Sequence, residues 1–254
     1  MCGAQADAEL LKKADEAVRQ APKDPSAYLA RARARDAVGK YAEALLDLDR
    51  ALELEPQHVD AYQERGCVNF KLGKFDASVR DFDKAIELRP ALKASHWQRG
   101  ISYYYAGRYE DGRKQFEGYQ DFDSNDVENA VWRFMCMARS DGLAKARQTI
   151  LKIGADRRVP MRQVYDLFKG DLQPEDVLGA AQKGDADRVS RQLFYAHLYV
   201  GIYYDLTGQR KLALEHLNRA TEEHRIGHYM WDVARVHRDL LRKAPARAAS
   251  GGAP

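Results

Sequence analysis

The chain has 254 residues, 45% hydrophobic and 31% charged, with a formal net charge of +3. That hydrophobic share can fill a continuous core, the mixed charges suit amphipathic helices, and +3 is too small to draw the chain to nucleic acid or an anionic membrane. No apolar run of about 18 residues exists to span a bilayer, and Cys2, Cys67 and Cys136 are an odd set without ligand-like spacing, which argues against a disulfide framework or zinc site.

Residues 7 to 20 read as one amphipathic helix, with Leu10, Leu11, Ala14, Ala17 and Val18 on a face. From Pro22 to Phe122 one pattern then returns three times at a step of 34 residues. Gly39, Gly73 and Gly107 keep that step, as do Tyr41, Phe75 and Tyr109 two places on. So do Pro22, Pro56 and Pro90; Tyr28, Tyr62 and His96; Leu48, Phe82 and Phe116; and Arg31, Arg65 and Arg99. Each unit predicts a helix A ending before its glycine, where a left-handed residue closes a helix, and a helix B ending before its proline. The small residues Ala32, Gly66 and Gly100 are placed to let helix A and helix B approach closely. These columns resemble the tetratricopeptide repeat. The resemblance implies an all-α fold, a right-handed superhelical solenoid of antiparallel helix pairs, with residues 7 to 20 as half a repeat capping it.

From 123 to 191 the period blurs. A helix with Trp132 (Val127 to Ala138) is expected, then a second to about Ile153, then two short ones, Met161 to Phe168 and Pro174 to Gln182. Leu193 to Leu206, Gly208 and Lys211 to Thr221 restore a repeat, and Tyr229 to Leu241 closes the array. The organisation expected is a tail and capping helix (1–22), three repeats (23–122), a degenerate repeat with an irregular helical segment (123–191), a last repeat with its closing helix (192–243), and a disordered tail (244–254) rich in Ala and Gly.

Three good repeats, a tryptophan helix, the stretch Tyr165-Asp166-Leu167-Phe168-Lys169-Gly170, and a final repeat with Phe194-Tyr195 and Gly201-Ile202-Tyr203-Tyr204 resemble the NlpI-like lipoproteins of bacterial envelopes. That resemblance implies a membrane-anchored, homodimeric adaptor without catalysis, which brings a protease together with peptidoglycan hydrolases. Cys2 is then the candidate lipid anchor, on the periplasmic side of the envelope. An incidental cysteine in a cytoplasmic adaptor is the alternative.

On helix A, the residues sharing the face that lines the concave side of such an array are Leu29, Arg33 and Asp36 in the first repeat. The second contributes Asp60, Gln63, Cys67, Phe70 and Lys71, and the third Trp97, Ile101, Tyr104 and Tyr105. Aromatic residues dominate binding hot spots, so Arg33, Asp36, Gln63, Phe70, Trp97, Ile101, Tyr104 and Tyr105 form the candidate groove for a peptide or protein partner. The competing reading is that these aromatics seal contacts between repeats, or that residues 155 to 185 fill the groove. Leu29, Arg33, Glu64, Ala94 and Gln98 stand where carboxylate-clamp repeats hold lysine and asparagine, so an acidic chaperone tail is a poor ligand for this face.

Arg31, Arg65 and Arg99 are each followed 16 to 18 residues later by carboxylates (Asp47 and Asp49, Asp81 and Asp83, Glu117), which predicts ion pairs between helices A and B. His224, His228 and Asp232 stand at four-residue steps, the one arrangement that suggests a metal-dependent enzyme, but Gly227 predicts a helix break inside the set. No P-loop, HExxH, GxSxG or dinucleotide pattern occurs. The reading is a non-catalytic scaffold that needs no cofactor.

Overall fold

The computed structural model describes residues 2–244, with side chains from Ala6 onward. Cys2 enters the first helix, but its side chain lies outside the described residues, as does the tail from 245 to 254. The described residues form fourteen α-helices and one 3₁₀ turn, with no strand. The chain divides into two compact units. One holds the chain up to Ser124 together with Met135–Asp141; the other holds Asn125–Phe134 and the chain from Gly142 onward.

The first unit begins with α1 (Cys2–Gln20). Three helix pairs follow: α2 (Pro25–Ala37) with α3 (Tyr41–Leu54), α4 (Val59–Lys71) with α5 (Phe75–Leu88), and α6 (Trp97–Tyr105) with α7 (Tyr109–Tyr119). Helices α2, α4 and α6 are the A helices, and α3, α5 and α7 the B helices. Gly39, Gly73 and Gly107 turn each A helix into its B helix at φ 78°, 75° and 73°, where an L side chain is strained. The A helices start on side-chain caps: Asp24 accepts from Ser26 N at 2.9 Å, and His58 and His96 accept through Nδ1 from Ala61 N and Arg99 N. The third A helix starts later than its predecessors, because a 3₁₀ turn at Pro90–Leu92 takes up the chain and His96 has moved into the capping position.

Within each pair the packing follows the repeat columns. A Cβ on Gly66 would stand 2.5 Å from the Phe82 ring, and one on Gly100 would stand 2.5 Å from the Phe116 ring. In the first repeat Ala32 carries that methyl, and the smaller Leu48 takes the place of the phenylalanine. Size on helix A is thus matched to size on helix B, as close packing demands.

The recurring arginines are structural, with a partner set that differs from the expected one. Arg31 reaches Asp47 at 2.7 Å and Asp15 at 3.3 Å; Arg65 reaches Asp81 at 2.6 Å and Asp49 at 2.9 Å. Arg99 donates to Gln115 Oε1 at 2.6 Å and pairs with Asp83 at 2.9 Å. Each guanidinium therefore bridges the residue 16 places ahead, on its own B helix, and the residue 16 places behind, on the preceding helix. Asp49 and Asp83 serve the following repeat, and Glu117 pairs with Arg113 at 3.4 Å instead of Arg99.

The second unit contains the start of α8 (Val127–Ser140), then α9 (Leu143–Gln148), α10 (Met161–Lys169), α11 (Pro174–Ala181), α12 (Ala186–Leu206), α13 (Arg210–Glu222) and α14 (Tyr229–Lys243). Its core packs Phe134 edge-on to Phe168 at 5.4 Å, and Phe168 edge-on to Tyr199 at 6.4 Å. Two bounds differ from expectation. Helix α9 stops at Gln148, after which the Leu151 carbonyl is taken by the Tyr165 hydroxyl at 3.1 Å. Helix α12 begins at Ala186 because Asp185 caps it, accepting from Arg188 N at 3.0 Å.

The irregular segment before α10 is pinned by Arg158, which pairs with Asp156 at 2.6 Å, Glu128 at 2.7 Å and Asp126 at 2.5 Å. Glu128 also accepts from the Tyr199 hydroxyl at 2.6 Å. Burial pushes the Glu128 carboxyl up, while Arg158 and Tyr199 pull it down, and burial prevails.

Candidate functional site: the helix-A face of the first unit

Helices α2, α4 and α6 carry every residue of the expected groove, and the structure sorts them into two groups. Phe70, Ile101 and Tyr104 are 0%, 1% and 5% exposed, so these three are interior residues and not an open surface. Leu29, at 6%, is interior as well. Phe70 lies edge-on to Tyr105 at 5.4 Å, and Tyr104 lies edge-on to Tyr105 at 5.2 Å. The Tyr104 hydroxyl accepts from Arg139 Nε at 3.2 Å. The cause of the narrower face is that these aromatics seal helix-to-helix contacts, the competing reading for that column.

Arg33, Asp36, Gln63, Trp97 and Tyr105 keep solvent access, Arg33 the most exposed and the others half-buried. The charges among them are already paired across neighbouring A helices. Arg33 Nε meets Glu64 at 3.1 Å, and Lys71 Nζ meets Asp36 at 2.6 Å. Lys71 also stands over the Tyr41 ring, 5.4 Å from its centre. A face whose ions neutralise one another offers an incoming partner shape and aromatic area more than net charge. Trp97 is its largest accessible side chain, set at the first turn of α6 in the column of Leu29 and Gln63.

His224, His228 and Asp232 do not share one helix, the break falling around Gly227 between α13 and α14. His224 lies beyond the end of α13, with its ring stacked on His197 at 5.7 Å. His228 caps α14 by accepting from Met230 N, and Asp232 sits inside α14 paired with Arg235 at 3.1 Å. Among the described residues no group of three or more His, Cys, Asp or Glu is placed to hold a metal ion. No described helix is long and apolar enough to cross a membrane.

Residues 39–97 match the tetratricopeptide repeat family. The segment runs from the glycine that ends α2 to the start of α6, and so covers the second helix pair whole. A tetratricopeptide repeat protein from Parabacteroides merdae superposes with a TM-score of 0.55 at 11% identity, over 92% of this chain and 91% of that one. The fold is that of the tetratricopeptide repeat. A MamA RS-1 double mutant aligns with a TM-score of 0.53 and 21% identity, over 57% of this chain and 82% of that one. The Cut9–Hcn1 assembly aligns with a TM-score of 0.54 and 14% identity, over 93% of this chain and 46% of that one. No curated protein sequence matches the chain.

At the junction of the second and third repeats the structure adds a feature absent from the expected groove. A surface depression of about 500 Å³ is lined by Lys74, Phe75, Asp76, Ala77, Arg80 and Tyr105, among others. Two of its lining side chains, Phe75 and Tyr105, are stacked at 5.4 Å and 28°. The sequence signal was Ala77, which breaks an otherwise acidic column.

Proposed function

We propose that the chain is a non-catalytic scaffold that holds a protein or peptide partner along the helix-A face of its first unit. The observation that carries this reading is the solvent access kept by Trp97 and Tyr105, where Phe70, Ile101 and Tyr104 of the same face are buried. Burying large aromatic side chains in an interface contributes most of the binding energy in many complexes. Arg33, Asp36 and Gln63 continue the face over the first two repeats and would fix the register of the partner. The envelope location, the Cys2 lipid anchor and the homodimer rest on the sequence resemblance to NlpI-like lipoproteins, and belong to this proposal on that ground alone.

The test is affinity capture from the native source with mass spectrometry, comparing the wild-type chain with Trp97→Ala. The expected result is loss of a reproducibly recovered partner by the variant at unchanged helicity. Equal recovery by both proteins would remove the helix-A face from the proposal.

A further inference from the structure

The repeat period allows each surface position to be compared with its own counterparts. The residue after each turn glycine is basic: Lys40, Lys74 and Arg108. In the first repeat Lys40 meets Glu43 at 3.6 Å, and in the third Arg108 meets Asp111 at 2.8 Å, three residues on in both cases. In the second repeat that acidic position is Ala77. A further column holds Arg80 and Lys114; Lys114 meets Glu110 at 3.4 Å, whereas Arg80 forms no such pair with Asp76. The second repeat therefore presents two cations, Lys74 and Arg80, that make no ion pair among the described residues.

Both cations line the depression of about 500 Å³, and so does the missing acid's replacement, Ala77. Asp76 is the one carboxylate on the rim, which leaves the depression with two cations to one anion. Phe75 and Tyr105 are half-buried and stacked, so their accessible parts form an apolar wall next to these charges. In the first repeat the column of Arg80 holds the uncharged Leu46 and Lys40 is met by Glu43, and in the third both cations, Arg108 and Lys114, have acidic partners.

From this juxtaposition we propose that the depression between the second and third repeats is a docking site for an acidic peptide segment of a protein partner, one that carries an apolar or aromatic side chain beside its carboxylates. Charge complementarity selects the occupant. A carboxylate takes the place that Glu43 and Asp111 hold in the neighbouring repeats, pairing with Lys74 and Arg80, while the adjacent apolar side chain packs on Phe75 and Tyr105. The site goes beyond the helix-A reading, with which it shares only Tyr105.

The experiment uses the full chain on a peptide array in which each apolar residue type is flanked by glutamates, glutamines or lysines. The expected result is retention on glutamate-flanked aromatic and aliphatic members, weakened by added salt, with glutamine counterparts bound at least about tenfold less. Ala77→Asp, which restores the acid found in the other repeats, is expected to lower that retention at least about tenfold, as is Lys74→Glu with Arg80→Glu. Trp97→Ala is expected to leave it unchanged, which separates failure of this site from failure of the helix-A face. Equal binding of glutamate and glutamine members, no retention of either, or an Ala77→Asp chain that binds like wild type would each overturn the proposal. Binding that anionic phospholipid vesicles abolish while glutamate peptides do not would also overturn it, in favour of a lipid surface.

Discussion

Gly66 and Gly100 set the distance between the two helices of their repeats, because the phenylalanine opposite already occupies the space of a methyl group. Gly66→Ala is therefore expected to lower stability by about 1–3 kcal/mol, the usual penalty of an overpacked core, read from urea unfolding. Adding Phe82→Leu recreates the Ala32–Leu48 pairing of the first repeat and should return part of that loss. A Gly66→Ala chain as stable as wild type would show that the helix pair tolerates separation. This pairing was legible in the sequence, since Ala, Gly, Gly and Leu, Phe, Phe stand in two fixed columns. The arginine partners were legible only in part. A carboxylate 16 residues behind is as reachable as one 16 ahead, and periodicity alone cannot say that both are used at once. The burial of Phe70, Ile101 and Tyr104 was hidden for a related reason. A helical wheel assigns them to a face, but the neighbouring A helices decide how much of that face stays open.

At the scale of elements, the regular helix pairs follow from their turn glycines and caps, while the segment between α9 and α10 has no such local code. It is held by long-range contacts that a periodic reading does not contain: Arg158 on Asp126, Glu128 and Asp156, and the Asn125 side chain accepting from Ala155 N at 3.2 Å. Arg158→Ala removes the shared cation from three carboxylates, one of them on a buried tyrosine hydroxyl. The expected outcome is faster proteolytic cleavage and hydrogen exchange within residues 149–160, with α2 to α7 unchanged. Unchanged protection of the segment would show that Arg158 does not hold it. Helix α12 teaches the same lesson at its start. Asp185, next to the left-handed Gly184, caps the longest of the described helices, and neither residue stands in a repeat column.

For the molecule as a whole, each unit carries buried histidines that link stability to pH. In the second unit His197 and His216 approach through Nδ1 at 2.9 Å, with His224 stacked on His197. Burial, then His216, His224 and Arg219, lowers the pKa of His197 to about 3. Burial also lowers His216 and His224, against the opposing pull of Glu215 and Glu175 on the first and Glu223 on the second. In the first unit burial, then Arg99, lowers the pKa of His96 to about 4. Because these folded values lie below the ordinary histidine value of about 6.5, the unfolded chain binds more protons. The stability they confer is present above pH ~6.5 and is lost as pH falls towards the folded values, by up to ~1.4 kcal/mol per pH unit for each fully shifted histidine. The urea midpoint should therefore fall between pH 6.5 and pH 5, before most carboxylates titrate. His96→Asn, which keeps a cap for α6, should shallow that fall. A midpoint independent of pH across this window would contradict the assignment.

Hydrogen exchange of the full chain with and without a captured partner tests whether the helix-A face of the first unit is where that partner is held. Slowed exchange is expected in α2, α4 and α6, strongest around Trp97 and Tyr105, with loss of that protection in Trp97→Ala. Partner-bound protein with exchange unchanged in those three helices would contradict it.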